Sequence, residues 1–312
     1  NDFKAIFGFY PKSVGAWVLD ASSLAYLDEK YHIEAACNCK DQWGTDGYTL
    51  WGGYYNQAYY PSVRNAFTPA QNPINQIQVP IFRMLGSDPV HQYEEGMLEE
   101  NGYTPTEWQE VITLEPVSNR GGGNPRWVDW FFDEIYERPF LSFRYAQAGQ
   151  ENSFGWEAIK QGFEYQIRKI AEMVQEGKLT VETLAESGRA FKDAYAQTPP
   201  SAVVALNDWS EKECGSIWYS SKRYRANIHF EKKRIWIRDI YLFDENYTER
   251  YLNEICHSKE CVYDNLPIVD GNRWSGNGVR AGLYFHDETG ELAIREDRLP
   301  EVEEVNAQVL KV

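Results

Sequence analysis

Short apolar runs alternate with longer segments of helical periodicity along the first two-thirds of the chain. Apolar runs of about four to eight residues are typical of buried strands, and their alternation with helices is typical of parallel βα units. We therefore predict strands at residues 4–9, 15–19, 33–39, 79–85, 110–114, 141–145 and 179–182.

Helical segments separate several of these strands. Asp20 stands where an N-terminal cap is expected, and Leu24, Leu27 and Tyr31 then recur on one helical face. Further helices are predicted over 127–136, 156–176 and 184–195. In the second of these, the apolar residues that share one face are Trp156, Ile159, Phe163, Ile167, Ile170 and Val174.

The pattern changes at the sequence Thr198-Pro199-Pro200-Ser201. Beyond it the apolar period becomes two, which is typical of antiparallel strands. The strands predicted there cover residues 216–220, 224–230, 234–243 and 282–286. We predict an α/β chain in which residues 1–198 form a TIM-like (β/α) barrel domain with seven strands or an incomplete set, and residues 201–312 form a smaller β-rich accessory domain.

Composition narrows the classes of partner. The chain has 312 residues and a formal net charge of −16, which repels phosphate backbones, so nucleic acid is not an expected partner. It contains no run of 18 apolar residues, so no membrane span is predicted. Aromatic residues make up 15% of the chain, with 11 Trp and 21 Tyr. Trp and Tyr can build a large core or a surface that stacks on sugar rings.

The cysteines and the start of the sequence say little about the cellular compartment. The five cysteines form no CxxC pair, and Cys256 and Cys261 could close a short disulfide loop. The sequence begins at Asn1 without a methionine or a basic-then-apolar leader, so we expect any targeting segment to be removed or to lie upstream. We expect a periplasmic or secreted bacterial location.

Four carboxylates follow predicted strands or lie near their ends: Asp20, Asp88, Glu115 and Glu151. Sites in parallel α/β architectures form at the carboxyl ends of the strands, so these residues are candidate catalytic acids. Cleavage of a glycosidic bond needs one carboxylic acid and a second carboxylate about 5–9 Å away. Glu115 and Glu151 fit this requirement on neighbouring strands, with Asp88 and Asp20 in reserve. The alternative interpretation is that these carboxylates are solvated at the strand ends, or, for Glu151, that the acid lies at the N-terminus of a helix.

A long loop from about residue 40 to 78 follows the third predicted strand. Seven residues between Trp43 and Tyr60 are aromatic, where average composition predicts about three. Glycine and short polar residues separate them, as in a carbohydrate-binding cleft. We predict a sugar platform built by Trp43, Trp51, Tyr54 and Tyr55. The alternative is an aromatic plug beneath the end of a barrel.

Four polar residues are candidates for substrate binding beside the acids. Arg83 on a strand could hold the carboxylate of a neighbouring residue or of a uronic acid, and Asp46 could orient sugar hydroxyl groups. His91 and Gln150 lie near the ends of two predicted strands, although a lone histidine is more often structural. The chain has no GxSxG, HExxH or GxGxxG motif, and Gly121–Gly123 is not followed by the GK[ST] of a phosphate loop.

Four stretches of the chain resemble a group of gut-Bacteroidetes proteins assigned to the glycoside hydrolases. They are residues 8–20 (GFYPKSVGAWVLD), 39–60 (CKDQWGTDGYTLWGGYYNQAYY), 80–89 (PIFRMLGSDP) and 145–156 (YAQAGQENSFGW). Their barrel resembles the (β/α)7 type of polysaccharide deacetylases and of family 38 and 57 glycosidases. The resemblance implies a barrel whose complete form includes strands before Asn1. The metal-binding HxxxH motif of the deacetylases is absent, because no two histidines lie four residues apart. We therefore expect no metal and no cofactor.

The function predicted from these features is hydrolysis of an oligo- or polysaccharide by paired carboxylates. One alternative is a glycan-binding protein that uses the same aromatic loop without a working acid pair. Another is a lyase, which would need a Tyr, His or Lys base near Arg83. A deacetylase-like enzyme is a further alternative. The sugar, the linkage, the anomeric outcome and the oligomeric state stay open.

Overall fold

The fold is seen in a computed structural model of the chain. It describes residues 2–38, 52–84, 86–92, 112–150, 153–232, 234–257, 265–276, 279–287, 290–291 and 300–312.

Side-chain caps begin most of the helices. Asp20 caps the second helix by accepting hydrogen bonds from the backbone N–H and the hydroxyl of Ser23, as predicted. Thr183 and Glu186 form a reciprocal capping box at the start of the fifth helix. The helices are α1 (Asp2–Phe7), α2 (Ala21–Tyr31), α3 (Pro125–Glu137), α4 (Trp156–Gln175) and α5 (Leu184–Ala194).

A parallel sheet of three strands carries the first part of the chain. Its strands are β1 (Ser13–Gly15), β2 (Ala35–Asn38) and β5 (Ile81–Arg83), with β2 in the centre. The short hairpin β3 (Pro61–Ser62) and β4 (Asn65–Pro69) lies between β2 and β5 in the chain. The parallel sheet confirms the mixed α/β class, but a closed barrel is not shown by the described residues.

Five of the predicted strands differ in the structure, and the one predicted at 15–19 shares only residue 15 with β1. Residues 4–9 are mostly helical, because Phe3, Ile6 and Phe7 recur at helical rather than alternating spacing in α1. Residues 141–145 and 179–182 are not strands; they make no ladder with the parallel sheet. Of the predicted strand 110–114, the described part contributes only an isolated antiparallel bridge between Thr113 and Ser87.

The second half of the chain forms the antiparallel strands that its period-two pattern predicts. A six-stranded sheet has the order β10-β9-β8-β7-β6, and the short β11 also pairs with β9. Two further hairpins pair β12 with β13 and β14 with β15. The strands are β6 (Ser201–Ala205), β7 (Cys214–Ser220), β8 (Tyr224–Glu231), β9 (Arg234–Leu242), β10 (Leu266–Asp270), β11 (Leu283–Tyr284), β12 (His286–Asp287), β13 (Gly290–Glu291), β14 (Glu303–Asn306) and β15 (Val309–Lys311).

The antiparallel sheet packs directly against the first half of the chain. Tyr55 stacks on Trp218 of β7 with ring centroids 3.8 Å apart. The buried guanidinium of Arg238 in β9 donates hydrogen bonds to the carbonyl oxygens of Pro89 (3.1 Å) and Val90 (2.9 Å). These contacts fix the turn that follows β5 against the sheet.

None of the helices in the described part of the chain is long and apolar enough to span a membrane.

Candidate functional site

The parallel sheet changes from apolar to polar at its carboxyl edge. Ala36 of β2 and Ile81 of β5 are paired in register and belong to one buried cluster. Successive side chains of a strand alternate between the two faces, so Asn38 and Arg83, two residues further along, lie on that same face. They are also paired with each other. This edge is where open α/β proteins bind their ligands.

Gln57 extends this polar row to a third segment. Tyr59 forms an antiparallel bridge with Ile81 and belongs to the same buried cluster. Gln57 lies two residues before Tyr59, and Arg83 lies two residues after Ile81. The Asn56 side chain exchanges two hydrogen bonds with the backbone of Ser87, which holds this segment near the chain that follows β5. We call Asn38, Gln57 and Arg83 the polar row; their exposures are 0%, 3% and 0%.

Cys37 occupies the opposite face of β2 and is a thiol at neutral pH. Burial raises the pKa of Cys37 to about 11, although a hydrogen bond with Gln147 and the charge of Arg83 act in the other direction. The Cys37 thiol donates to the side-chain oxygen of Gln147 over 3.3 Å. A thiol with so high a pKa is a poor nucleophile, so covalent cysteine chemistry does not suit this site.

The segment from Tyr145 to Gln150 connects the edge of the sheet with the turn that begins at Glu115. The Tyr145 hydroxyl donates to the carbonyl oxygen of Arg83 (2.9 Å). At the other end of the segment, the side-chain oxygen of Gln150 accepts a hydrogen bond from the backbone N–H of Val117 (3.1 Å). The predicted site residues Arg83, Glu115 and Gln150 are thus linked through one short stretch of chain.

Glu115 is half-buried in a turn built around three glycines. Its carboxylate accepts a hydrogen bond from the Thr113 hydroxyl over 3.2 Å. The turn is closed by Gly121–Gly123, and Gln166 of α4 donates to the carbonyl oxygens of Leu114 and Gly122. The triple glycine therefore serves close packing, because a Cβ on Gly122 would lie 2.2 Å from the Leu114 carbonyl oxygen.

Asp88 is fully buried and bound on both of its carboxylate oxygens. One oxygen accepts hydrogen bonds from the backbone N–H groups of Val90 and His91, each 2.8 Å long. The other accepts from the indole N–H of Trp127 at 2.9 Å. The structure thus gives Asp88 a turn-forming role, and its predicted role as a reserve catalytic acid stays a prediction.

Three other predicted residues lie in structural positions. Asp20 caps α2. Tyr54 and Tyr55 have exposures of 0% and 1%, and their hydroxyls donate to the carbonyl oxygens of Pro199 and Asp88. The rings of these two tyrosines are therefore core residues, and their burial argues against the predicted sugar platform at these two positions.

His91 lies in a separate cluster against the second half of the chain. Its Nε2 is 3.2 Å from a carboxylate oxygen of Asp208, which also accepts a hydrogen bond from the Ser210 hydroxyl. Burial opposes protonation of His91, but the hydrogen bond with Asp208 and the charges of Asp88 and Asp208 outweigh it and raise the pKa of His91. Burial also opposes ionisation of Asp208, yet hydrogen bonds from His91, Ser210 and Cys214 lower its pKa.

The remaining predicted residues, Trp43, Asp46, Trp51 and Glu151, lie outside the described residues, as does Cys261 of the predicted disulfide. Among the described residues, no three His, Cys, Asp or Glu side chains are grouped as metal ligands would be.

The sequence interpretation missed Asn38 and Gln57. Asn38 follows Ala35, Ala36 and Cys37 in a strand predicted from its apolar character. The sequence did contain a clue, namely the position of Asn38 in the strand. An amide two residues after a core alanine lies on the same face as that alanine. Gln57 was hidden in the aromatic loop, where no strand was predicted.

A cavity of about 970 Å³ lies on the helical side of the 140–148 segment. Phe82, Phe143, Ile170 and Leu184 are among its mainly apolar lining residues. Its Tyr145 and Gln147 are shared with the contacts described above. Phe82 lies on the face of β5 opposite to that of Arg83, so the cavity and the polar row are on opposite sides of the parallel sheet.

Comparisons with known proteins bear on the fold. No protein-family model matches the chain, and a comparison with curated protein sequences gives no match either. Among solved structures, the chain is similar to a protein from Parabacteroides distasonis that is named as a glycoside hydrolase/deacetylase, with 17% sequence identity and a TM-score of 0.54. The match covers 76% of this chain and 57% of that one, so the chain spans little more than half of its length. The chain thus has a fold distantly like that of a glycoside hydrolase/deacetylase-type protein.

Proposed function

We propose that the protein is a carbohydrate-active hydrolase whose site lies at the carboxyl edge of β1, β2 and β5. Glu115 and Glu151 are its pair of catalytic carboxylates. The proposal is supported by the position of the polar row at this edge and by the likeness in fold to a protein named as a glycoside hydrolase/deacetylase. It also fits the acidic, aromatic-rich composition of the chain.

The hydrogen bond between Gln150 and the backbone N–H of Val117 carries the assignment of the two acids. Val117 is two residues from Glu115, and Gln150 directly precedes Glu151 in the sequence. A 3.1 Å contact between these two short stretches supports carboxylates near enough to work on one bond.

The chemistry then divides between the two side chains. One carboxylic acid protonates the oxygen of the leaving sugar, and the other carboxylate attacks the anomeric carbon or activates a water. A separation of about 5–5.5 Å gives retention, and about 6.5–9.5 Å gives inversion. Trp43 and Trp51 are proposed as the stacking surface for the sugar.

The test is a hydrolysis screen with aryl glycosides and oligosaccharides. We expect Glu115→Gln and Glu151→Gln each to lose about 10²–10⁴-fold in kcat, the usual contribution of a general acid or base. Glu172→Gln on the exposed surface of α4 is the matched control and should keep wild-type activity. Full activity in both site variants would contradict the assignment of the acids.

Glycan binding without cleavage by the wild type, unchanged in both Gln variants, would instead favour a glycan-binding protein. The screen includes acetylated oligosaccharides with acetate release as a separate readout. Release of acetate without cleavage of the chain would replace the glycosidase assignment with a deacetylase.

A further inference from the structure

Asn38 is a fully buried amide with no hydrogen-bond partner among the described residues. Its exposure is 0%, and neither its Nδ2 nor its Oδ1 has a hydrogen-bond partner within the part of the chain that the structure describes. A buried amide without partners lowers the stability of a protein, so a position that keeps one calls for an explanation. A ligand that completes the hydrogen bonds is such an explanation.

Two other buried residues near this end of the sheet each have one polar atom without a partner in the described part of the chain. Gln57, at the next position of the polar row, has a buried Oε1 with no partner among the described residues. The buried hydroxyl of Ser87, four residues beyond Arg83, also lacks a partner in the described chain. These groups come from three separate segments. Asn38 is paired with Arg83 of β5, and the hydrogen bonds between the Asn56 side chain and the backbone of Ser87 join the other two segments.

Amides that serve the fold look different in this protein. Asn227 of β8 has the same 0% exposure, but its Nδ2 donates to the Ser216 hydroxyl (2.7 Å) and the Ile217 carbonyl oxygen (3.2 Å). Its Oδ1 accepts a hydrogen bond from Arg238 (2.7 Å). Burial alone therefore does not explain why the Asn38 amide has no hydrogen-bond partner among the described residues.

We propose that Asn38 and Gln57 bind the ring hydroxyls of a neutral saccharide. This inference rests on the proposed function, whose site it specifies further. The unpartnered Oδ1 and Oε1 are hydrogen-bond acceptors and need donors from the ligand. A sugar hydroxyl can donate and accept, whereas a carboxylate only accepts. The net charge of −16 also repels an anionic sugar. A uronate also has ring hydroxyls, so the choice of a neutral hexose or pentose oligomer rests on the net charge. The buried guanidinium of Arg83 would favour a carboxylate, and the oligogalacturonides in the experiment test that alternative.

The experiment compares Asn38→Leu with Asn227→Leu, two substitutions of equally buried asparagines. Leu has a similar size but no polar atoms, so Asn38→Leu should leave the Tm unchanged or raise it. Asn227→Leu should lower the Tm by about 5 °C or more, because it leaves Ser216, the Ile217 carbonyl oxygen and Arg238 without their hydrogen bonds to Asn227. Asn38→Ala is a second variant that separates the loss of the amide from any steric effect of Leu.

Binding is measured by calorimetry on the full chain with cello-, xylo- and manno-oligosaccharides and with oligogalacturonides. We expect the wild type to bind a neutral oligomer and not the oligogalacturonides. Asn38→Leu and Asn38→Ala should weaken that binding by at least about 10-fold, the cost of leaving a sugar hydroxyl without its partner.

Three results would overturn the inference. They are wild-type affinity in both Asn38 variants, a fall in Tm for Asn38→Leu as large as that for Asn227→Leu, and a wild type that binds oligogalacturonides or no glycan at all. The proposed hydrolase is judged separately, by cleavage in the wild type. Binding that depends on Asn38 without cleavage would contradict the hydrolase and support the inference.

Discussion

Asp88→Asn tests whether this candidate acid supports the turn after β5 or the chemistry. The carboxylate is fully buried and accepts hydrogen bonds from two backbone N–H groups and from the Trp127 indole. An Asn side chain keeps one oxygen for the two backbone groups. Its amide nitrogen then faces the indole N–H, so two donors meet in a buried place.

The cost follows from those contacts. A hydrogen bond to a charged group is worth about 1.5–3 kcal/mol, and a buried donor left without an acceptor costs about 1–3 kcal/mol. Since these two estimates describe one contact, we predict a loss of about 2–3 kcal/mol in the free energy of unfolding. Trp127→Phe removes the indole N–H, so the two substitutions should couple by about 1–2 kcal/mol.

Urea unfolding followed by far-UV circular dichroism measures the four members of this cycle. Asp193→Asn, an exposed aspartate of α5, is the matched control and should change the stability by less than about 0.5 kcal/mol. The folded Asp88→Asn variant should keep its activity on any substrate found. Unchanged stability together with lost activity would refute the structural role and return Asp88 to the catalytic candidates.

Two further predictions concern the stability of the fold rather than the chemistry of the site. Burial raises the pKa of Glu249 to about 7, against hydrogen bonds from the N–H groups of Ala66 and Ala21, so the folded state holds a proton that the unfolded state releases near pH 4.5. The stabilisation from the protonated Glu249 is complete below pH 4.5, and about 3 kcal/mol of it is lost as the pH rises through 7. Urea unfolding at pH 5 and pH 8 should show a smaller decline in stability for Glu249→Gln than for the wild type. An equal decline in both proteins would contradict the assignment. Gly122→Ala should lower the free energy of unfolding by about 1–3 kcal/mol, because the new Cβ would press on a carbonyl oxygen. Gly276→Ala is the control, since a Cβ there meets open space. Equal thermal unfolding of the two variants would disprove the packing role of Gly122.

Local signals in the sequence were sufficient for the long helices and for the antiparallel strands. Asp20 marks the start of α2 because its side chain can cap the free N–H groups there. The bounds of α4 match the predicted helix to within one residue, but Trp156, Ile167 and Val174 of its predicted apolar face are exposed. The strands after residue 200 alternate in a way that only a sheet accommodates.

The parallel part was harder, because its strands depend on distant partners. Residues 141–145 have the apolar composition of a strand, yet Tyr145 reaches the sheet through its hydroxyl rather than through a backbone ladder. The 4–9 stretch is short enough for helix and strand patterns to coincide, and the structure contains α1 there.

The candidate site was easier to propose from the sequence by its location than by its composition. The rule that ligands bind at the carboxyl ends of parallel strands led to Arg83 and Glu115. It did not lead to Asn38, because an amide inside an apolar strand gives no sign of whether its hydrogen bonds are complete. The burial of Tyr54 and Tyr55 was equally hidden, since aromatic residues can form a core or a sugar platform with the same spacing.

A crystal structure of Glu115→Gln with a bound neutral oligosaccharide tests the central claim most directly. We predict a sugar at the carboxyl edge of β2 and β5, with its hydroxyls hydrogen-bonded to Asn38 and with residues 115 and 151 on either side of a glycosidic bond. A sugar bound only in the apolar cavity behind the 140–148 segment, or on the antiparallel sheet, would contradict the assignment of this edge as the active site.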